Sequence, residues 1–351
     1  MIKGIVIPSF EQLRERALKL YLKPVTLPPK TRFKGVKKYF IRAERVYNYL
    51  KDKLSVVNNL PSWDNIPEFY RELLVIGGLG RYEECRLKII NALRILGKLW
   101  REYRILIKYS IDAPEARKQA REFIGRALSV VRRSRKCLNI LAESVKIARD
   151  SPCINTEEPV IVVAGMPQTG KSTFVGRVST VKPVVAPYPF TTKNIILGHL
   201  VLGPFLKIQI MDTPGILDRP LEELNEIERK AIAAINYLAS VVVFLMDVSK
   251  DSYYTLDRQI YVYNSVKNIL RDEDRILVVI NKVDKLTKDE LRGAIEALRS
   301  AGIDNVMCIS ALKGFGVEEV ISKALDILGI RLEEIFNEGR GVLRKALKRT
   351  H

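Results

Sequence analysis

The sequence predicts two domains of different class: an all-α, basic helical bundle, followed by an α/β domain with a mostly parallel six-stranded sheet and helices on both faces. Apolar residues recur at helical spacing between residues 67 and 149, where helix breakers are few. Beyond residue 155, short β-branched runs alternate with helical segments, which is the order of a parallel α/β sheet. We therefore divide the chain into residues 1–150, residues 151–330 and a basic C-terminal helix over residues 331–351.

The helical domain begins with a segment of different character. Residues 1–65 alternate short helical segments with prolines, so we expect them to wrap around other elements rather than pack alone. Residues 67–149 should form three or so long helices. Five aromatic residues here have a spacing that favours core positions over stacking on bases. They are Trp63, Tyr82, Trp100, Tyr103 and Tyr109.

The positive charge is concentrated in this helical domain. The chain carries a formal net charge of +19, and residues 1–150 contain 33 Lys and Arg against 15 Asp and Glu. The remaining residues are almost balanced, with 26 against 25. A polyanion or an anionic membrane surface is the natural partner of such a domain. The alternative is a solvated charged face that keeps the helices soluble.

Signals for other compartments and for structural cofactors are weak. No run approaches the ~18 apolar residues of a transmembrane helix, and the N-terminus lacks the apolar segment of a secretory leader. The four cysteines are scattered without a Cys-x-x-Cys pair. We expect a cytoplasmic protein with neither a disulfide framework nor a zinc site.

Six short apolar runs predict the strands of the second domain. They lie near residues 160–164, 195–202, 206–211, 241–246, 276–280 and 306–309. The two runs between Ile195 and Met211 are joined by a short connection, which predicts an antiparallel pair. The other strands should be parallel, with the ligand at their carboxyl ends.

The first of these strands leads directly into a phosphate-binding motif. Residues 165–173 have the spacing G-x-x-x-x-G-K-S-T between a predicted strand and a predicted helix. Lys171 should reach the β- and γ-phosphates of a nucleotide, and the Ser172 hydroxyl should bind Mg²⁺. The backbone should cradle the phosphates. The predicted nucleotide contacts are Gly165, Gln168, Thr169, Gly170, Lys171, Ser172 and Thr173.

Two later segments select guanine as the base. Asn281-Lys-Val-Asp284 follows a predicted strand, and the Asp284 carboxylate can accept from the ring N–H and amine of guanine, a donor pair that adenine lacks. Asn281 should brace the loop and the base, with the Lys282 stem along the ring. Ser310, Ala311 and Leu312 follow the last strand, and the Ala311 N–H should bind the guanine carbonyl.

The segments between these motifs should sense the γ-phosphate. Asp212 ends a predicted strand in the pattern D-x-x-G, so it should hold Mg²⁺ through water, and the Gly215 N–H should reach the γ-phosphate. Thr192 is the expected switch hydroxyl on Mg²⁺, with Thr191 as the fallback. Together with Lys171, Thr192 and Gly215 form the predicted catalytic set. Ile216 cannot orient water as a glutamine would, so hydrolysis should be slow without an activator.

Two longer segments resemble a known family. Tyr188-Pro-Phe-Thr-Thr192 and the run from Asp212 to Glu228 are similar to the nucleolar GTP-binding protein 1 family, within the Obg-related GTPases. The resemblance extends to residues 66–74 and the helical run to about Arg149, and covers roughly residues 5–330. It implies a ribosome-assembly GTPase that binds GTP, GDP and Mg²⁺ and associates with the large-subunit precursor. The helical domain would then lie against ribosomal RNA.

The chain also departs from this family's pattern. Gln168 stands where these proteins usually have the asparagine that ligates K⁺ in potassium-activated relatives, so a K⁺ requirement is in doubt. Eukaryotic members continue into long C-terminal extensions, whereas this chain ends after a basic helix, which suggests a compact archaeal-type form. We expect a monomer, because no exposed apolar seam is evident.

Two readings of function remain open at this point. The first is an assembly GTPase whose basic domain binds ribosomal RNA through phosphates and shape. The second is a GTP-dependent switch whose helical domain docks on a protein or an anionic membrane. A nucleotide-binding protein that scarcely hydrolyses GTP is a third, weaker possibility, because of Ile216.

Overall fold

The computed structural model describes residues 4–152, 154–190, 193–204, 206–213, 225–270, 273–335 and 340–348. The chain divides into two compact units after Asp150, each with a hydrophobic core of its own. The first unit is helical, and the second is built on one β-sheet. The predicted fold class, a helical bundle followed by a mostly parallel α/β domain, is therefore confirmed.

The described part of the first unit contains six α-helices. They are α1 (Phe10–Leu22), α2 (Lys34–Ser55), α3 (Glu68–Ile76), α4 (Tyr82–Lys108), α5 (Ala113–Arg133) and α6 (Arg135–Asp150). Side-chain caps explain two of the starts: Ser9 and Gln12 form a reciprocal capping box on α1, and Asp112 accepts from the Glu115 N–H at the start of α5. Across the described residues of both units, no helix is long and apolar enough to span a membrane.

Helix α2 shows that the sequence-based description of residues 1–65 was wrong. This helix has 22 residues and buries Val36, Ala43, Val46, Leu50 and Leu54 in the core of the unit. It is therefore a central element, not a short wrapping segment. The prolines that suggested interruption lie before it at positions 24, 28 and 29 and after it at position 61, so none breaks its hydrogen-bond ladder.

Aromatic rings fill much of this core. The Trp100 ring stacks on Tyr47 with 5.1 Å between centroids and lies 5.3 Å from the Phe123 ring. Tyr82 and Tyr103 are buried as well. Tyr109, the C-cap residue of α4, is the exception and is 73% exposed.

Seven strands, one more than predicted, form the sheet in the described part of the second unit. They are β1 (Val160–Ala164), β2 (Val184–Pro187), β3 (Asn194–Leu202), β4 (Leu206–Asp212), β5 (Val241–Asp247), β6 (Ile276–Asn281) and β7 (Val306–Cys308), in the order β2-β3-β4-β1-β5-β6-β7. The unpredicted strand, β2, is an exposed edge strand of four residues, and the prolines at positions 183, 187 and 189 indicate a loop there. The β3–β4 pair is antiparallel, as predicted.

Helices alternate with most strands of this unit. They are α7 (Lys171–Val178), α8 (Glu226–Ala233), α9 (Leu256–Ile269), α10 (Lys288–Ser300), α11 (Val317–Ile327), α12 (Leu332–Ile335) and α13 (Arg340–Lys348). The last helix buries Leu343 and Ala346 in the cluster that contains Val241 and Val243 of the sheet. The C-terminal helix thus packs against the second unit while carrying basic residues.

Candidate functional site

Four strands end side by side at one edge of the sheet. Strands β4, β1, β5 and β6 are neighbours and parallel, and their last residues include Ala164, Asp212, Asp247 and Asn281. The register pairs Val163 with Asp212 and Asp247 with Asn281. Motifs that are far apart in sequence are therefore brought to a single edge, where open α/β sheets bind ligands.

The loop after β1 has a backbone that only small residues allow at two positions. Gly165 has φ 132° and Gly170 has φ 97°. A Cβ atom on Gly165 would lie 2.3 Å from the Leu245 carbonyl oxygen, and one on Gly170 would lie 2.2 Å from Asn281 Nδ2. Gln168 also has positive φ, 63°. Glycine is required here for conformation and for the close approach of neighbouring strands.

Lys171 lies inside the curve of this loop. Its ammonium group donates to the carbonyl oxygens of Gly165 and Met166 at 2.7 and 2.8 Å, and the side chain is buried. The Thr169 hydroxyl donates to the Met166 carbonyl oxygen at 2.9 Å. These bonds hold the loop in a closed arc at the start of α7, with a positive charge at its centre. Such an arc suits a phosphate group.

Ser172 and Asp212 converge at the mouth of the loop. The Ser172 hydroxyl donates to Asp212 Oδ2 at 2.6 Å, and Asp212 is buried at the end of β4. The Thr213 hydroxyl donates to the Val163 carbonyl oxygen at 3.0 Å and so fixes the end of that strand. One hydroxyl and one carboxylate are hard oxygen ligands that fit Mg²⁺. Nowhere in the described parts of the chain do three His, Cys, Asp or Glu residues form a metal cluster.

Several predicted residues cannot be placed beside this pair. Thr191, Thr192, Gly215 and Ile216 lie outside the described residues. The structure thus contains the phosphate loop and the Ser172–Asp212 pair, and the roles of the γ-phosphate segments stay predictions.

Asn281 joins the phosphate loop to the loop after β7. Its Nδ2 group donates to the Thr169 carbonyl oxygen at 2.8 Å, and its Oδ1 atom accepts from the Ala311 N–H at 2.9 Å. The side chain is buried. The Ala311 N–H, expected to bind the guanine carbonyl, is therefore engaged by Asn281. The sequence pattern could not show this bond, because it spans 30 residues.

Asp284 and Ser310 face each other at the same end of the site. A hydrogen bond from the Ser310 side chain is the main cause that lowers the Asp284 pKa, and the charge of Lys313, 3.9 Å away, lowers it further. Asp284 is therefore ionised at neutral pH, as an acceptor for two N–H groups must be. Ser310 is itself buried, and its hydroxyl accepts from the Lys313 N–H at 3.2 Å.

An ion pair between Lys282 and Asp247 fixes the segment that follows β6. Lys282 has φ 61°, and its ammonium group lies 2.6 Å from Asp247 Oδ2. The buried Asp247 carboxylate also accepts from the N–H and the hydroxyl of Ser249, while Gln259 exchanges hydrogen bonds with the Asp247 backbone. Sequence reasoning missed Asp247, although it ends a buried strand at the same edge as Asp212.

Arg177 is a second residue that the sequence did not reveal. It lies on α7 and donates through Nε to the Ala311 carbonyl oxygen at 3.2 Å and through Nη2 to the Leu312 carbonyl oxygen. Helix α7 thereby holds residues 310–313, which we call the base-side loop because the sequence predicts that the base binds there. Leu312 is 72% exposed, and Gln168 and Thr173 are exposed too, so each can contact a ligand only from the surface.

Known proteins share both units of this chain. The family model of the NOG1 N-terminal helical domain matches residues 15–154, and that of nucleolar GTP-binding protein 1 matches residues 226–284. The nucleolar GTP-binding protein 1 of Drosophila melanogaster is 30% identical over 290 residues, which cover 81% of this chain and 44% of that protein. The chain thus spans less than half of that relative's length.

Two further relatives give shorter matches. An uncharacterized protein of Methanocaldococcus jannaschii is 32% identical over 238 residues, covering 68% of this chain and 66% of that protein. A crystal structure of a nucleolar GTP-binding protein 1 from Plasmodium falciparum is 31% identical, with a TM-score of 0.43, and covers 51% of this chain and 90% of that one.

Proposed function

Because the chain belongs to the nucleolar GTP-binding protein 1 family, we propose that it binds GTP and GDP at the edge of its sheet and hydrolyses GTP. The observation that carries this proposal is the position of Asn281, which bonds to the phosphate loop and to the base-side loop at once. A ligand that bridges these loops needs phosphates at one end and a flat base at the other. A nucleoside triphosphate has this form.

Guanine is the base that fits the polar groups of the site. Asp284 is held ionised beside Ser310, and a carboxylate there can accept from both the ring N–H and the amine of guanine. Adenine would leave this charge without a donor. Sites that recognise a ligand by such bonds reject analogues lacking them by about 10⁴-fold or more.

Mg²⁺ would be held by oxygens that already lie together. Ser172 would bind it directly and Asp212 through water, and the ion would neutralise charge on the phosphates. Lys171 would turn its ammonium group from the loop carbonyls toward the β- and γ-phosphates. Hydrolysis should be slow without an activator, because Ile216 offers no polar group to orient water. Gln168 replaces the asparagine that ligates K⁺ in potassium-activated relatives, so comparing rates in K⁺ and Na⁺ tests whether K⁺ acts here.

Nucleotide selectivity tests this part of the proposal. Wild-type protein should bind a fluorescent GDP analogue that GTP displaces and ATP does not. In Asp284→Asn the acceptor becomes a donor, so affinity should shift from GDP toward XDP by about 10³-fold or more. Asp289→Asn, on exposed α10, is the matched control. Equal displacement by ATP and GTP, or a D284N variant that keeps its GDP affinity, would remove guanine selectivity from the proposal.

For the helical unit we propose binding to large-subunit ribosomal RNA on a pre-ribosomal particle, with the nucleotide state controlling residence there. The support is the charge of residues 1–150, 33 Lys and Arg against 15 Asp and Glu, together with the family to which the unit belongs. The competing reading is a GTP-dependent switch on a protein or an anionic membrane, acting as a monomer in either case.

Binding assays separate the two readings. Protein loaded with GDP or with a GTP analogue is titrated against large-subunit particles and against vesicles that contain phosphatidylserine. Saturable, nucleotide-sensitive binding to the particles supports the assembly role. Binding to vesicles alone would replace it by the membrane switch.

A further inference from the structure

A cleft of about 450 Å³ opens on the helical unit between α2 and α5. It is lined by Tyr39 from α2 and by Ala113, Pro114, Arg117, Lys118 and Arg121 from α5. The charged side chains among these six are all cations, and all three are exposed. The cleft is therefore a concave surface with one sign of charge, which concentrates an electrostatic field.

The three cations of the cleft have no counter-ion within the helical unit as the structure describes it. Arg126, one turn further along α5, is paired with Glu122 at 2.9 Å. The acidic residues at the start of α5 are engaged by backbone groups: Asp112 accepts from the Glu115 N–H at 2.8 Å, and Glu115 accepts from the Ile111 N–H at 2.7 Å. Arg117, Lys118 and Arg121 thus have no ion-pair partner among the described residues, and they outnumber the two carboxylates at the start of α5.

Two long helices point their positive ends toward this region. A Cβ atom on Gly35, in the first turn of α2, would lie 2.5 Å from the Ala113 Cβ, so the two helix starts are in close contact. Helix α2 has neither an acidic residue in its first turn nor a side-chain cap. The dipole of α2 therefore adds to the charge of the cations, whereas Asp112 and Glu115 offset that of α5.

Next to Tyr39, a second group of residues contains buried hydrogen-bond donors that have no acceptor among the described residues. Arg42 lies 5.8 Å from the Tyr39 ring and 5.9 Å from the Tyr21 ring. The Tyr21 hydroxyl and the Arg42 Nε are buried, and neither has a hydrogen-bond partner among the described residues. Burial raises the Tyr21 pKa, as Tyr39 does, while Arg121, Arg42 and Arg117 lower it, so these cations act on one common point.

We infer that this cleft binds a phosphate group of a ribonucleic acid backbone, an inference that rests on the proposed function of the helical unit. Two arginine forks and an ammonium can bond the oxygens of one phosphate or of two successive ones. The Tyr39 hydroxyl adds a neutral donor. A polynucleotide carries successive phosphates along its backbone, so two neighbouring ones can enter the same concave site.

Exposed apolar side chains beside the cleft favour RNA over a membrane. Phe33 precedes α2 and is 76% exposed, and Ile111 precedes α5 and is 90% exposed. An aromatic ring next to a phosphate site suits an unpaired base, which stacks on it. An amphipathic helix that lies in a membrane surface has a continuous apolar face, whereas the face of α5 at the cleft is basic.

The test compares two charge-matched triple variants of the full chain. One is Arg117→Gln, Lys118→Gln and Arg121→Gln in the cleft. The control is Arg94→Gln, Lys98→Gln and Arg101→Gln, three exposed cations of α4 that do not line it. Binding to transcribed large-subunit ribosomal RNA is measured across a salt series. The cleft variant should lose about 10- to 100-fold in affinity at ~100 mM salt, and its salt slope should fall by about 2–3 more than that of the control.

The remaining outcomes are distinguishable. If both triple variants lose affinity equally, the cleft has no special role, although the proposed RNA binding stands. If wild-type protein binds no RNA, both the inference and the proposed function are overturned. Loss of binding to phosphatidylserine vesicles, with RNA binding unchanged, would assign the cleft to a membrane. Circular dichroism and GDP affinity, which should be unchanged in both variants, verify that they are folded.

Discussion

The candidate sites of the two units use their cations in opposite ways. In the sheet unit, Lys171, Arg177 and Lys282 each have assigned partners at short range, either carbonyl oxygens or the Asp247 carboxylate. In the helical unit, Arg117 and Arg121 line an open cleft without a counter-ion in its described residues. The cations of the sheet unit fix the conformation of its loops, and those of the cleft create a positive electrostatic potential. In the sheet unit, each substitution should therefore remove a specific contact and have its own effect. In the helical unit, each substitution should lower the positive charge of the cleft, so the effects on binding should add.

Among the variants that test this comparison, the largest effect should come from an uncharged residue at the point where the two loops of the sheet unit meet. Gly170→Ala places a methyl group 2.2 Å from Asn281 Nδ2 at φ 97°, so the phosphate loop must separate from Asn281. Backbone strain and overlap together should cost about 3–4 kcal/mol, or about 10²- to 10³-fold in GDP affinity by titration calorimetry.

Gly176→Ala is the matched control on the same helix. A Cβ atom there meets nothing within 4 Å, and its φ is not positive. It should leave GDP affinity unchanged and stabilise the unit by up to ~1 kcal/mol, because alanine favours a helix. Equal losses in the two variants would show that the Gly170–Asn281 contact is not what organises the site.

Breaking the Lys282–Asp247 pair should have the next largest effect. In Asp247→Asn the Asp247 side chain, only 4% exposed, loses its charge, and Lys282, 29% exposed, loses its partner. Because Lys282 retains solvent, we expect a loss of about 2 kcal/mol in unfolding free energy, measured by denaturant titration, not the full cost of a buried charge.

A double-mutant cycle with Lys282→Gln isolates the pair. Additive effects of D247N and K282Q would mean that the two side chains are not coupled, and the comparison between fixed and free cations would lose one of its members.

Arg177 should have a smaller effect that is confined to the base side. Arg177→Ala removes two hydrogen bonds to the carbonyl oxygens of Ala311 and Leu312. We expect about a tenfold loss of GDP affinity, because the loop of Ser310 is less well positioned. Binding of inorganic pyrophosphate, which does not contact that loop, should be unchanged. Equal losses for both ligands would instead indicate a general disturbance of α7.

The smallest effect concerns the helical unit and its self-repulsion. Raising NaCl from about 50 to 500 mM should raise its unfolding temperature by a few degrees, since screening weakens repulsion among like charges. The unfolding of the nearly neutral sheet unit should change less. Calorimetry with and without GDP assigns the transitions, because GDP stabilises only the sheet unit. Equal salt shifts in both transitions would contradict the comparison.

The sheet unit shows which features of the fold the sequence could predict. Strand β1 was predicted at the observed residues 160–164, because buried parallel strands are continuous apolar runs. The motifs at Gly165, Asp212 and Asn281 follow such strands, so the rule for parallel sheets places them at one edge. Edge strand β2 is only four residues long and lies among prolines, which are typical of loops, and it was missed for that reason.

Contacts over long sequence distances were beyond the reach of the pattern. Arg177 bonds to a residue 134 positions away, and nothing around it marks a bond partner. The engagement of the Ala311 N–H by Asn281 depends in the same way on how two loops pack. The cleft requires the register of α2 against α5, which the Gly35–Ala113 contact sets. Composition showed that the helical unit is basic but did not indicate where an anion would bind.

Salt dependence separates the two candidate sites. The affinities of the wild-type chain for GDP, at constant Mg²⁺, and for large-subunit ribosomal RNA are determined in the same salt series. We predict an RNA affinity that falls steeply with salt and a GDP affinity that changes little, because only the helical unit binds through cations that lack partners. Equal slopes for the two ligands, or an RNA affinity independent of salt, would contradict this account.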